Sequence, residues 1–134
     1  MPEFSLPDQD GNIVTLKSLK GKQVVLYFYP KDDTPGCTRE ACSFRDSIDL
    51  YRRQDIAVLG VSTDDVDSHK DFSEKFQLPF PLLADPEKNV VSLYGATWLF
   101  GMTNRITFLI DPQGRIADRE PGVGAGGFRR LRDR

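Results

Sequence analysis

The chain contains two cysteines, Cys37 and Cys42, and both lie in the segment YPKDDTPGCTREACSF at residues 29–44. Thr34 is a favourable helix N-cap and Pro35 suits the first position of a helix. Cys37 is therefore expected in the first helical turn, where backbone N–H groups are unpaired and the helix dipole is positive. Such an environment favours the thiolate, which is the reactive form of cysteine.

The charges near Cys37 have opposite signs. Lys31 and Arg39 add positive charge to this region, whereas Asp32 and Asp33 oppose it. The sequence alone leaves the balance between them open.

Cys42 follows Cys37 by five positions. In a regular helix this spacing is about 7.5 Å along the axis and roughly 140° around it, whereas a disulfide needs Cα atoms within about 6.8 Å and converging Cβ vectors. There are therefore two alternatives. Either the two sulfurs never bond, or the first turns of the helix unwind so that they can. Cys42 is either a redox partner of Cys37 or a buried structural cysteine. The spacing differs from the Cys-x-x-Cys of thioredoxin-like reductases.

The other polar residues do not suggest a metal site. The single histidine, His69, lies in a polar helical segment and is expected to be a solvated surface residue. Asp64, Asp65 and Asp67 are interpreted as helix-start residues, where the helix dipole favours negative charge. With a cysteine spacing unsuited to zinc, no metal is expected.

Hydrophobic periodicity predicts the elements that position these residues. The predicted strands are 12–16, 23–30, 55–63 and 105–111, with a returning strand from 115, and the predicted helices are 35–54, 64–77 and 87–95. Strand–helix–strand crossovers build a parallel sheet, and the terminal hairpin adds antiparallel strands. The predicted fold class is therefore α/β, a thioredoxin-like fold with a central mixed β-sheet flanked by helices. Residues 78–86 are too rich in proline to be helical.

Composition predicts one domain over residues 1–134 and a cytoplasmic protein. The net charge of −2 gives no basic surface for nucleic acid or lipid headgroups. The first residues lack the features of a secretory signal, and the longest apolar run, VVLYFY, is too short to cross a bilayer. Neither nucleic acid nor a membrane is expected as a partner.

The segment YPKDDTPGCTREACSFRD resembles the active-site segment of the peroxiredoxins, specifically the Q-type or bacterioferritin comigratory protein subfamily. Pro30, Thr34 and Cys37 match the pattern Pro-x-x-x-Thr-x-x-Cys, and Cys42 matches the resolving cysteine of the Q-type proteins. Arg105 matches the arginine that precedes the Thr-Phe-Leu-Ile-Asp strand of the family. The segments LPFPLLADP, VVSLYG and RITFLIDPQGRI extend the resemblance to about residues 3–118.

The resemblance implies a thiol-dependent peroxidase with Cys37 as the peroxidatic cysteine, which a peroxide oxidises to a sulfenic acid. Arg105 would hold Cys37 as a thiolate and orient the peroxide. The Thr34 hydroxyl and the backbone amides of Gly36 and Cys37 would bind the peroxide oxygens. Pro30 would shield the site from water.

The resemblance also implies how the enzyme is recycled. Cys42 would condense with the sulfenic acid into a Cys37–Cys42 disulfide as the helix unwinds, and thioredoxin or a similar dithiol would reduce it. The implied substrates are hydrogen peroxide and small organic hydroperoxides, and no cofactor is required. A monomer is expected, since a resolving cysteine in the same chain needs no partner subunit.

Two other functions remain open from the sequence. One is a non-enzymatic redox sensor or chaperone-like binding module, and the other is a general thiol–disulfide oxidoreductase. Residues 120–134 depart from the family pattern, with a glycine-rich and then basic tail. We expect lower stability from this change. Trp98 and Phe100 are expected to pack beneath the loop that precedes Arg105.

Overall fold

The structure, a computed structural model, describes residues 3–97, 103 and 105–121. Its strands are β1 (Ser5–Pro7), β2 (Ile13–Thr15), β3 (Gln23–Phe28), β4 (Ile56–Ser62), β5 (Leu82–Ala84), β6 (Ile106–Ile110) and β7 (Ile116–Pro121). Its helices are α1 (Pro35–Asp46), α2 (Ile48–Arg53), α3 (Val66–Phe76) and α4 (Asn89–Leu93), with a 3-10 turn at Lys17–Leu19.

The central sheet has the strand order β5-β4-β3-β6-β7. Strands β3, β4 and β5 are parallel, whereas β6 and β7 join antiparallel. The predicted mixed sheet and its terminal hairpin are thus confirmed. Strands β1 and β5 were not predicted. Each has three residues, and prolines at positions 79 and 81 hide the strand character of β5.

Strand β3 is buried on both faces, which explains its uninterrupted apolar sequence. Its alternate residues enter two different hydrophobic clusters. Val25 and Tyr27 pack with buried residues of α1, α2 and α3. Val24, Leu26 and Phe28 pack with residues of α4 and the β1–β2 hairpin. The sheet is therefore covered on both sides, and the layer of α1, α2 and α3 contains both cysteines.

The single helix predicted over residues 35–54 is wrong, since the chain breaks at Ser47 into α1 and α2. Ser47 has φ −102° and ψ 6°, outside the helical range, and serine is a weak helix former. Phe44 and Tyr51 are nevertheless both buried in the same cluster. The spacing of apolar residues thus continues across the break, and hydrophobic periodicity therefore did not reveal the break at Ser47.

Several predictions lie outside the described residues. They include the packing of Trp98 and Phe100 and the effect of the tail beyond residue 121. None of the helices in the described part of the chain has the length and apolar character that a membrane crossing requires.

Candidate active site

Cys37 lies in the first turn of α1, as predicted, and is buried, with 2% of its surface exposed. Thr34 is the N-cap residue and Pro35 the first helical residue. The first helical bond runs from the Thr38 N–H to the Thr34 carbonyl at 2.8 Å. Cys37 therefore lies at the positive end of a helix of 12 residues.

Arg105 contacts Cys37 although 68 positions separate them in sequence. Its Nη2 atom donates a hydrogen bond to the Cys37 Sγ at 3.4 Å. The sheet explains the contact, because Phe28 at the end of β3 pairs with Ile106 at the start of β6. The loop that leads into α1 and the residue that precedes β6 thus meet at one edge of the sheet.

Gly36 allows Arg105 to approach the start of the helix. A Cβ atom at position 36 would lie 2.6 Å from Nη2 and 2.9 Å from Nη1 of Arg105. These distances are far below van der Waals contact, so a side chain at this position would displace the guanidinium group. Gly36 therefore leaves the space that the guanidinium group occupies in its contact with Cys37.

The Thr34 side chain does not cap α1, although its position is that of an N-cap residue. Its hydroxyl donates instead to the Lys31 carbonyl at 2.9 Å. Within the described chain, the amides of Gly36 and Cys37 are thus not taken by the Thr34 hydroxyl. The start of the helix can offer these N–H groups to an anion or a peroxide. Pro30, half-buried, lies in the loop between β3 and α1.

Glu40 was missed by the sequence reasoning. It follows Cys37 by three positions, is 4% exposed, and has no hydrogen-bond partner among the described residues for either carboxylate oxygen. Burial raises the pKa of Glu40 from its ordinary value of 4.5 to about 8, and the charge of Arg105 limits the rise. Glu40 is therefore mainly protonated at neutral pH.

Aromatic rings form the inner wall behind Cys37. The Tyr27 ring stacks on Phe44 with centroids 4.7 Å apart, and both pack in the same hydrophobic cluster as Cys37. Burial, followed by the charge of Glu40, raises the pKa of Tyr27 well above its ordinary value. This side of the site is therefore buried and largely aromatic, so charges within it are weakly screened.

Cys42 is half-buried on the same helix, and both cysteines are free thiols. Helix α1 runs without interruption from before Cys37 to beyond Cys42. The structure therefore describes the reduced arrangement, in which an intact helix separates the two sulfurs. The predicted disulfide would require part of α1 to unwind.

The expectation that His69 is a solvated surface residue is wrong, since its side chain is completely buried. Its Nδ1 atom lies 2.6 Å from Oδ2 of Asp32, and its Nε2 donates to the Leu83 carbonyl at 2.9 Å. The spacing could have revealed it, because His69, Phe72 and Phe76 recur at intervals of three and four along one face of α3.

The three aspartates at the start of α3 have different roles. Asp65 is the N-cap residue and accepts a hydrogen bond from the Ser68 N–H, as predicted. Asp67 lies in the first turn. Asp64 instead accepts from the backbone N–H of Asp32 at 2.8 Å, so its assignment as a helix-start residue is wrong.

The structure also bears on the balance of charge around Cys37. Asp32 is paired with His69, and Asp33 pairs with Lys75 at 2.8 Å, so that both carboxylates are held against α3. The carboxylates of Asp32 and Asp33, which oppose the Cys37 thiolate, are therefore partly neutralised by His69 and Lys75.

Comparison with known proteins identifies the family. The AhpC/TSA family matches residues 1–119 of the chain. The chain belongs to this family. Peroxiredoxin Q of Triticum aestivum, named as chloroplastic, is 50% identical over 117 residues, which are 86% of this chain and 54% of that protein. A protein of Coxiella burnetii named as a peroxiredoxin, bcp, is 46% identical over 133 residues, covering 94% of this chain and 88% of its own. The chain thus spans about half the length of the plant relatives and most of the bacterial one.

Solved structures of other proteins share the fold of this chain. The bacterioferritin comigratory protein of Xanthomonas campestris, studied for its alkyl peroxide reduction activity, superposes with a TM-score of 0.86 at 32% identity. The match covers 91% of this chain and 82% of that one. The peroxidoxin BcpB of Mycobacterium tuberculosis superposes with a TM-score of 0.85 at 36% identity, and the match covers 91% of this chain and 82% of that one. The predicted thioredoxin-like fold and the Q-type resemblance are confirmed.

Proposed function

We propose that this protein is a thiol-dependent peroxidase in which Cys37 reduces hydrogen peroxide and small organic hydroperoxides. The observation that carries the proposal is the contact of Arg105 with a buried Cys37 at the start of α1. A guanidinium group and a helix N-terminus both stabilise a thiolate. Membership of the AhpC/TSA family, and the alkyl peroxide reduction named for the Xanthomonas campestris relative, support the same reaction.

In the first step the Cys37 thiolate attacks one oxygen of the peroxide. A sulfur–oxygen bond forms, the oxygen–oxygen bond breaks, and the second oxygen leaves with the electron pair and takes a proton as water or an alcohol. Cys37 becomes a sulfenic acid. Negative charge moves onto the leaving oxygen, where the amides of Gly36 and Cys37 and the guanidinium of Arg105 would stabilise it.

In the second step the Cys42 thiol attacks the sulfenic sulfur. A Cys37–Cys42 disulfide forms and water leaves, so that the peroxide has taken two electrons from two thiols. A thioredoxin-type dithiol then restores both cysteines by exchange and becomes a disulfide itself. The half-exposed position of Cys42 is consistent with an attack that follows local unwinding of α1.

The proposal is tested by stopped-flow measurement of the reduced protein with hydrogen peroxide at neutral pH. We expect a rate constant far above that of a small free thiol. Cys37→Ser should abolish the reaction. Cys42→Ser should allow one fast turnover, leave a sulfenic acid detectable by mass spectrometry, and prevent sustained turnover with thioredoxin. A wild-type rate equal to that of a free thiol would contradict the proposal.

The oligomeric state and the location in the cell are part of the same proposal. We expect a monomer, because Cys37 and Cys42 lie on one helix, and a cytoplasmic location. Sedimentation of the reduced and oxidised protein tests the first. Cell fractionation tests the second, and the plant relatives are named as chloroplastic.

A further inference from the structure

A cluster of buried and half-buried polar side chains lies behind the loop that joins β3 to α1. The loop carries Pro30 and Thr34, and the cluster holds it against α3. Its members are Tyr29, Asp32, Ser62, Asp64, Ser68 and His69. The peroxidase chemistry proposed above does not use any of them directly.

The contacts of His69 determine how many protons its ring carries. The Leu83 carbonyl can only accept, so the Nε2 atom 2.9 Å away must carry a proton. The Nδ1 atom lies 2.6 Å from Oδ2 of Asp32, and a bare ring nitrogen would repel a bare carboxylate oxygen at that distance. A second proton therefore lies between Nδ1 and Oδ2.

The other partners of Asp32 favour its charged form. The Tyr29 hydroxyl donates to Oδ1 at 2.5 Å, and the Ser68 hydroxyl donates to Oδ2 at 2.9 Å. Donors stabilise a carboxylate, so the shared proton belongs to the ring. Asp32 and His69 thus form a buried carboxylate–imidazolium pair that links the loop to α3.

The ligand atoms of Asp32, Asp64 and His69 lie within 4.8 Å of one another, as they would in a metal site. The separation of 2.6 Å between Nδ1 and Oδ2 argues against this use. Two ligands of one ion, each about 2.1 Å from it, are about 3 Å apart or more. The short distance is that of a hydrogen bond, and a metal would have to displace its proton.

One rigid peptide connects this cluster with Thr34. The N–H of Asp32 donates to Oδ2 of Asp64 at 2.8 Å. The carbonyl of Lys31 belongs to the same planar peptide and points in the opposite direction. That carbonyl accepts the hydrogen bond of the Thr34 hydroxyl at 2.9 Å. The direction of the Asp32 N–H therefore sets the direction of the Thr34 hydroxyl.

We propose that Asp32, Asp64 and His69 are positioning residues that orient the Thr34 hydroxyl for peroxide binding. The hydroxyl hydrogen is held by the Lys31 carbonyl, so the lone pairs of the oxygen face outward and can accept a hydrogen bond from the O–H of a peroxide. The inference rests on the proposed peroxidase function.

The test compares two reactions of Cys37 in a Cys42→Ser background, where Cys37 is the one remaining thiol. Peroxide needs Thr34 in position, whereas alkylation by iodoacetamide needs only the thiolate. We expect Asp64→Ala and Thr34→Val each to slow the peroxide step about tenfold or more. Both should leave the alkylation rate within about twofold.

Two further variants separate positioning from a general loss of structure. Asp64→Asn retains an oxygen that accepts from the Asp32 N–H, so it should keep the peroxide rate within about threefold. The double variant Thr34→Val/Asp64→Ala should be no slower than Thr34→Val alone, since the two residues act through one contact. An unchanged rate in Asp64→Ala, or additive losses in the double variant, would overturn the inference.

The protonation of His69 is tested without a variant. The chain has one histidine, so ¹⁵N-detected imidazole signals of the full protein belong to His69 alone. We expect a proton on each ring nitrogen, one of them shared with Oδ2 of Asp32, and we expect zinc to leave the signals unchanged. A ring with a bare Nδ1, or a ring that binds zinc, would overturn the assignment. If the Cys42→Ser protein reacts with peroxide no faster than a free thiol does, the peroxidase proposal itself fails. The imidazole signals of His69 still show in that case whether the ring is paired with Asp32.

Discussion

Two buried carboxyl groups, Asp32 and Glu40, flank Cys37 in the sequence and have opposite surroundings. Asp32 is 7% exposed and receives hydrogen bonds from a tyrosine, a serine and the ring of His69. Glu40 is 4% exposed and has no hydrogen-bond partner within the described residues. Burial without donors favours the neutral acid, whereas burial with donors allows the charge to remain.

The difference matters for Arg105, the charged residue that contacts Cys37. A neutral Glu40 does not compete with the thiolate for the guanidinium group. The carboxylate of Asp32 is neutralised by His69 on α3. Two acids close to Cys37 in the sequence can therefore be tolerated near a thiolate.

The largest expected effect is on stability, when the Asp32 pair is broken. Asp32→Asn removes the carboxylate that accepts from the Tyr29 and Ser68 hydroxyls and faces the His69 ring in the interior. We expect a loss of about 3 kcal/mol in the free energy of unfolding, since removal of one partner from a buried pair is strongly destabilising. Urea denaturation at neutral pH measures it. A loss below about 1 kcal/mol would show that the pair is not ionic.

The next effect concerns Arg105. Arg105→Met removes the cation that faces Cys37, and we expect the rate constant for peroxide to fall on the order of 100-fold. The pKa of Glu40 should rise further, because the charge of Arg105 lowers it. Carboxyl titration by NMR follows Glu40. Arg119→Met, which removes an exposed arginine stacked on Phe108, is the matched control and should leave both quantities unchanged.

An effect of opposite sign, a gain in stability, appears in the pH dependence of the free energy of unfolding. The pKa of Glu40 in the fold, about 8, exceeds its ordinary value of 4.5, so the folded state binds more protons between these values. The contribution is complete below about pH 4.5 and is lost as the pH rises to about 8.

Glu40→Gln should remove this pH-dependent loss and be more stable than wild type above pH 8, by roughly a few kcal/mol. At pH 7 it should retain the peroxide rate, since the neutral acid and the amide are alike in charge. Denaturation at pH 5, 7 and 9 measures the difference. Glu74→Gln, at an exposed position of α3, is the control, and a wild-type slope in Glu40→Gln would refute the assignment.

The smallest effect is expected at Lys75, whose ammonium pairs with Asp33 at 2.8 Å. Both side chains are about half exposed, at 59% and 48%. Lys75→Met should change the free energy of unfolding by less than about 0.5 kcal/mol. A loss comparable with that of Asp32→Asn would mean that exposed contacts, and not the buried pair, hold the loop to α3.

The comparison also shows what the sequence could predict. Local patterns placed Cys37 at a helix start and identified β3, β4 and β6 of the central sheet, because burial on both faces leaves an uninterrupted apolar run. The family motif placed Arg105 beside Cys37. The first prediction depended on residue types whose preferences are strong and local, whereas the second came from the family resemblance.

The charged residues were harder to place, because their environment is set by distant segments. Asp32 and His69 are 37 positions apart, and polar types are ordinarily exposed, so His69 was assigned to the surface. Glu40 was missed for the same reason. Its spacing from Cys37 and Phe44 puts all three on one helical face, and this was the available signal of burial.

The break at Ser47 has a consequence for the dynamics of the protein. Amides of α1 should exchange with solvent through an opening that leaves α2 closed, since Tyr51 anchors α2 in the core. The segment that must rearrange for the proposed disulfide is then bounded by the loop held through Asp32 at one end and by Ser47 at the other. Oxidation would remodel one short cooperative unit, and the sheet beneath it would keep its protection from exchange.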